Sequence, residues 1–265
     1  MKNPLVWLAL VIIVAGAGSL YYWRSTTGAP EPKPPVATAA PPAIGPPVAS
    51  AAAPAIAHPL PPATNTPPLP PLADSDASVQ AALVEMFGRE SFARFFVPDA
   101  LVRNFVVTID NLPRKTAAAR LRPVRPVPGP FAATSNGASF DIGTDNALRY
   151  RPYLVAMEQV EAKRLVNTYV RLYPLFQSAY QELGYPNGYF NDRLVQAIDD
   201  LLATPEVPSP QLAQPKVLYE FTDAALEDRS AGQKIMLRMG NANAARVKDK
   251  LRAIRREILA QAPAS

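Results

Sequence analysis

The 265-residue chain has no cysteine and a single histidine. No cysteine means no disulfide, no thiolate nucleophile and no cysteine-zinc site. The histidine, His58, lies in a proline-rich stretch, so whatever folds after that stretch has neither residue type. Serine-histidine-aspartate and cysteine-histidine catalysis are thereby excluded there, as are the common zinc sites. No glycine-rich phosphate loop is present. No cofactor and no metal is therefore expected. Strong charge is lacking too. The formal net charge is +5, and from Ala73 onward 24 basic against 21 acidic residues leave +3. That mild balance argues against a nucleic-acid partner.

What is abundant is proline, and it is unevenly placed. Sixteen of the 31 prolines fall between Gly28 and Leu72, among Ala, Thr and Val with almost no charge. Such a segment buries too little apolar surface to fold and favours extended polyproline II. We expect a disordered linker over 28–72, with a docking ligand for a polyproline reader as the alternative. Upstream, Pro4–Trp23 carries no charged residue, with Trp7 near one end and Tyr21, Tyr22 and Trp23 at the other. Twenty residues suffice to cross a hydrocarbon core of about 30 Å, and the aromatics suit its interfaces. The expectation is an anchor over 1–27 that contacts the lipid bilayer through Pro4–Trp23. A cleaved signal peptide ending near Ala15-Gly16-Ala17 is the competing reading. A short N-terminal tail left in the cytoplasm puts the C-terminal domain in the periplasm, single-pass on the inner membrane.

The expected fold class is mainly α: one helical domain over 73–262 with a small β-hairpin. Its centre is Glu161 to Leu202. Leu165, Tyr169, Leu172, Tyr173, Phe176, Tyr180 and Leu183 recur at threes and fours, which marks one buried helix face. Pro174 should kink or divide that helix, and Gly184 should stop it. Asn191 is placed to cap the next helix. Upstream, Asp74 or Ser75 can cap a helix over 76–87 that Gly88 ends. A short helix follows over 91–97. Pro98 suits the first turn of another running to about Asn111, with Leu101, Phe105, Ile109 and Leu112 on one face. Phe131 to Ile142 reads as a hairpin around Asn136-Gly137. A helix from about Asn146 or Pro152 leads to Val160. Thr204 to Pro215 reads as a loop, and Val217 to Phe221 as extended chain. Two helices close the chain, over 230–239 and 243–260. The last buries Val247, Leu251, Ile254 and Ile258 and lines its other faces with Arg246, Lys248, Lys250, Arg252, Arg255 and Arg256.

Several stretches carry a family resemblance: LPPL at 69–72, TIDNLPR at 108–114, RPVPGPF at 125–131, YPLFQSAYQELGYP at 173–186, FNDRL at 190–194, and SAGQKIMLRMG from Ser230. In these the chain resembles a bacterial family catalogued as a domain of unknown function (number three thousand and fourteen). The resemblance covers nearly the whole chain after the linker and implies an N-terminal span and a proline-rich spacer. It implies no activity.

The candidate functional surface is RKTAAARLRPVRPVPGP, residues 114–130, with five basic residues and no acid. Arg114, Lys115, Arg120, Arg122 and Arg125 would suit an anionic envelope polymer or an acidic protein partner, because proline-held arginines offer donors at low entropic cost. The plain alternative is a solvated loop paired with the domain's own acids. Asp110 and Asp192 are the acidic candidates. Asp110 opposes the dipole at a helix end and should pair with Arg114, four residues on. Asp192 reads as a favourable charge at a helix start. Asp199 and Asp200 are adjacent on a helix and point about 100° apart, so they form no carboxylate pair. Ser230 reads as an N-cap rather than the nucleophile of a pair with Lys234. The function expected is non-enzymatic, an envelope binding or scaffold module. The runner-up is a peptidoglycan-cleaving enzyme using a carboxylate such as Glu158, Glu161 or Glu182. A cytoplasm-facing module with an anionic partner is the third reading.

Overall fold

A computed structural model of the chain describes residues 55–61, 68–117 and 120–262. The expected span Pro4–Trp23 and the linker up to residue 54 lie outside the described residues. Among the described residues no helix is long and apolar enough to cross a membrane.

The fold is mainly helical, with a small antiparallel sheet. After a 3₁₀ turn at Leu72–Asp74 come α1 (Asp76–Phe87), α2 (Arg89–Phe95) and α3 (Leu101–Asn111). Strands β1 (Ala133–Ser135) and β2 (Phe140–Ile142) precede α4 (Thr144–Arg149), α5 (Arg151–Glu158), α6 (Ala162–Glu182) and α7 (Phe190–Leu202). Then follow β3 (Leu212–Ala213), β4 (Glu220–Phe221), α8 (Ala224–Glu227), α9 (Ala231–Arg238) and α10 (Asn241–Leu259).

The core forms around α6, which packs against α3 and α10, while α7 packs against α3, α9 and α10. The aromatic stripe of α6 drives this. Tyr169, Phe176 and Tyr180 are buried, and each stands within ring-contact distance of Phe190 at the start of α7. Phe105 of α3 meets Phe176 edge-on at 6.1 Å. Leu183, expected on the same face, is 38% exposed, and Tyr173 is half-buried. Pro174 neither divides nor ends α6. It is exposed, so the backbone acceptor it leaves without a donor lies toward the helix's solvent side.

Helix ends follow local chemistry at several points. Gly88, Gly184 and Gly240 all adopt positive φ where helices stop or turn. Ser230 Oγ accepts from Gln233 N, as an N-cap does. Other ends are set by distant groups. Helix α3 starts at Leu101 rather than at Pro98, because Asp76 accepts the Ala100 and Leu101 N–H groups at 2.7 and 2.8 Å. Ala100 is held there at φ 49, in the left-handed region. Ser75 makes no side-chain cap to α1; its hydroxyl donates to Leu72 O instead. The helix expected to reach Val160 is two short ones, with Pro152 in the first turn of the second.

The expected hairpin is half of a four-stranded sheet of order β1-β2-β3-β4, antiparallel throughout. Strand β3 comes from the stretch 204–215, which the sequence presents as a proline-rich loop. Gln211 ties it down: its amide donates to Asp141, and its Oε1 accepts from Asn136 Nδ2 and Ser139 Oγ at the hairpin tip. Leu212, Phe221, Leu226 and Leu237 make a second, smaller core beneath the sheet. Lys248 is not on a solvated face of α10. It is buried and donates to Thr204 O at 2.6 Å, holding the end of α7.

Helix α9 docks end-on onto the loop after α3. Ala231 N and Gly232 N donate to Arg114 O and Leu112 O, so the loop supplies acceptors for the first turn of α9. A Cβ at Gly232 would stand 2.6 Å from Leu201 Cδ2 and 3.2 Å from the Leu112 oxygen. In an exposed helix, glycine to alanine gains about 1 kcal/mol. Here overpacking costs about 1–3 kcal/mol, and Leu112 O cannot retreat without losing its hydrogen bond. Gly232→Ala is therefore expected to lower the urea unfolding midpoint; a raised midpoint would show that α9 is not docked this way.

Candidate functional site

Two arrangements stand at the first turn of α7, and both candidate acids take part. Asp110, in the last turn of α3, is 4% exposed. Its Oδ2 accepts from Arg114 Nη2 at 2.8 Å and its Oδ1 from Arg193 Nε at 3.0 Å. Its main-chain oxygen also accepts from both arginines. A carboxylate at a helix C-terminus opposes the dipole, and two guanidinium groups reverse the local balance. Tyr185 completes the cluster: its hydroxyl accepts from Arg114 Nη2 at 2.5 Å and faces Asp110 Oδ2 at 3.4 Å. The bond to Asp110 pushes the Arg114 pKa up. The expected Asp110–Arg114 pair is present, and Arg193 is its unforeseen third member.

Asp192 faces the other way. Its two oxygens accept consecutive backbone N–H groups, from Ala57 at 3.0 Å and His58 at 2.7 Å. Asn191 is fully buried and caps nothing in α7, whose N-cap is Tyr189. Instead its Nδ2 donates to His58 O at 2.8 Å, and its Oδ1 accepts from Tyr169 OH at 3.1 Å. Tyr189 OH accepts from Leu60 N at 2.9 Å. The segment 55–61, assigned by composition to the linker, thus lies on the domain as a strap, and Leu60, Leu69 and Leu72 pack against the main core. Burial pushes the Tyr169 pKa well up, so the phenol remains a proton donor at neutral pH and fixes which end of the Asn191 amide meets the strap. Gln177 locks the neighbouring loop by donating to Gly188 O and accepting from Phe190 N and Tyr173 OH.

The basic residues of 114–125 do not converge on one ligand-sized spot. Arg114 belongs to the Asp110 cluster. Lys115 pairs with Asp228 at 2.7 Å, both about three-quarters exposed. Arg125 Nε donates to Ala93 O at 3.3 Å. Arg120 is exposed, and Arg122 is half-buried with its pKa lowered by desolvation. The backbone is firm at 123–126. Val97 N donates to Pro123 O, Arg125 N donates to Phe95 O, and Phe96 bridges to Val124, whose side chain is buried. Tyr153 OH donates to Pro126 O at 3.1 Å.

Several other acids are paired. Glu158 meets Arg246 at 2.5 Å, Glu182 meets Arg103 at 3.0 Å and Asp199 meets Arg255 at 2.6 Å, all at the surface. Asp200 is half-buried, with its pKa raised by desolvation, and accepts from Ser230 Oγ and Gln233 Nε2. Lys234 pairs with Glu227 at 2.8 Å, so Ser230 and Lys234 do not act on one another. A recess of about 390 Å³ lies between the sheet and the start of α10, lined by Asp141, Thr144, Pro208, Arg238 and Asn241 among others. Its arginine donates to Tyr219 O and lies over the Phe221 ring. Among the described residues no group of three or more His, Asp or Glu side chains is placed to hold a metal.

The family described as "Protein of unknown function (DUF3014)" matches residues 101–255. The chain belongs to this family. The matched stretch holds the Asp110 cluster, the basic loop and Tyr189 to Arg193; the strap lies ahead of it. Neither the curated proteins nor the solved structures give a significant match.

Removing Asp110 would leave Arg193, whose side chain is 14% exposed, without its carboxylate. Breaking a buried pair from one side costs about 3–5 kcal/mol. Asp110→Ala is expected to show that loss in urea unfolding, whereas Lys115→Ala, at an exposed pair, should leave the midpoint unchanged.

Proposed function

We propose that the chain is a single-span protein of the inner membrane, anchored through Pro4–Trp23, whose helical domain is exported on the proline-rich segment. In this reading the domain is a binding or scaffold module of the cell envelope, and its edge at 114–125 meets an anionic wall polymer or an acidic protein. The observation that carries the reading is the firm backbone under that edge. Pro123, Val124 and Arg125 are hydrogen-bonded or bridged to Phe95, Phe96 and Val97, so the exposed Arg125 stands on a fixed strip, with the half-buried Arg122 at its start and the exposed Arg120 just ahead of it. Guanidinium groups on a fixed strip lose less entropy on meeting carboxylates or phosphates. The exposed Lys115–Asp228 pair gains little in water and can be exchanged for a partner's anion.

The settings of Glu158, Glu161 and Glu182 disfavour glycan cleavage through them. A general acid for that chemistry needs a carboxylate in a cleft that raises its pKa. Glu158 and Glu182 are exposed and bound to arginines, and Glu161 is exposed at the start of α6.

Two measurements test the proposal. A periplasm-dependent phosphatase fused after Ser265 is expected to be active, and a fluorescent reporter at the same place dark; the reverse pattern would put the domain in the cytoplasm and end the envelope reading. Charge reversal at Arg120, Arg122 and Arg125 together is expected to cut recovery on purified cell wall at least tenfold. Unchanged recovery would remove the basic edge as the binding surface.

A further inference from the structure

The contact between the strap and α7 has the features of recognition. It is made almost entirely to main chain, and it has a register. Counting from Leu60, the groove takes the N–H three residues back and the N–H and C=O two residues back, skips Pro59, and takes the N–H of Leu60 itself. The Leu60 side chain packs on the main core. The pattern required is two residues with free N–H groups, then proline, then leucine. Between Gly28 and Leu72 there are three leucines, and only Leu60 satisfies it. Leu69 follows Pro67-Pro68 and Leu72 follows Pro70-Pro71, so each lacks the N–H that His58 gives to Asp192. Composition makes the segment look uniform, yet the hydrogen-bonding rule selects one register in it.

The groove residues are also held by partners other than the strap. Asp192 and Asn191 sit on the first turn of α7, Tyr169 fixes the Asn191 amide, and Gln177 holds the Tyr189 loop. If the strap left, the Asn191 amide and both Asp192 oxygens would lose these partners together. An amide in the core without a hydrogen-bond partner costs free energy, so the groove favours being filled.

We propose that Tyr189, Asn191 and Asp192 form a peptide-binding groove for an extended x-x-Pro-Leu segment, and that its ligand is this chain's own Ala57–Leu60, held in cis as a releasable latch. Latched, the proline-rich segment is fastened to the domain from residue 57. Released, the domain hangs from a tether that begins only at Leu69 and Leu72, the next residues packed on the core. Cis binding is favoured because Leu60 and Leu69 are nine positions apart, which keeps the strap at high effective concentration beside its groove. The proposal does not rest on the membrane placement or on the basic edge, and holds on whichever side of a membrane the domain stands.

The test uses the full-length chain and a labelled synthetic peptide of residues 55–61, AIAHPLP. His58→Pro with Leu60→Asp removes one N–H and the apolar anchor from the strap without touching the groove. The labelled peptide is expected to bind this strap variant at least tenfold more tightly than the wild type, whose groove is filled. Adding Asp192→Ala, or separately Tyr189→Phe, to the strap variant should weaken the peptide at least tenfold; Tyr189→Phe keeps the ring and removes only the hydroxyl, so it serves if Asp192→Ala impairs folding. No binding to the strap variant would overturn the groove. Binding indifferent to both groove substitutions would overturn the groove as well, and equal binding to wild type and strap variant would overturn the latch. A wild-type dimer in light scattering that free AIAHPLP dissociates would overturn the cis assignment in favour of straps exchanged between copies.

Discussion

Asp110 sits where three parts of the chain meet: the end of α3, the loop that begins at Arg114, and the first turn of α7. Its carboxylate is nearly out of water, and two arginines reach it from different directions. Burying that charge is tolerable only with both cations and the tyrosine in place. The consequence travels along α7. Arg193 must turn inward to meet Asp110, which leaves its neighbour Asp192, about 100° around the helix, facing outward to the strap. The basic loop starts from the same cluster, since Arg114 is at once a partner of Asp110 and the residue whose carbonyl supports the first turn of α9.

The two candidate surfaces get their rigidity from different sources. The strap groove is an outgrowth of the aromatic core. Tyr169 packs within ring-contact distance of Phe176 and Phe190, and the same residue's hydroxyl holds Asn191. A change that loosened the α6–α7 core would loosen the groove with it. The basic edge is held by main chain, through a short bridge to the end of α2, and its prolines restrict the backbone that the bridge leaves free. The groove therefore depends on side-chain packing, and the edge on backbone pairing.

Much of the helical scaffold was legible because it rests on local rules. The bounds of α1, the faces of α3 and α10, the stops at Gly88 and Gly184, the Ser230 cap and the Asp110–Arg114 pair are all set within about four residues of themselves. Asn191 shows where that reasoning misleads. As an asparagine at a helix start it reads as a cap, yet the acceptor that meets the first N–H of α7, on Phe190, is Gln177 from α6. Tyr189 takes the cap position, and the asparagine is spent on a backbone carbonyl 133 residues away. Lys248 misleads in the same way: a lysine among basic neighbours on α10 turns out to hold the end of α7 from inside.

By itself, then, the sequence determined the class of the fold, the chemistries excluded by missing cysteine, and the helices whose apolar spacing and glycine stops are local; the exclusion of histidine chemistry did not carry over, because the fold brings His58 onto the domain. The tertiary structure alone decided that a stretch at 204–215 contributes a strand, that Arg193 joins Asp110, and that part of a proline-rich segment is fastened to the domain. The physical reason is common to all three. Each depends on a polar group meeting main chain or charge from dozens of residues away, and such a meeting leaves no periodicity in the sequence until folding brings the partners together.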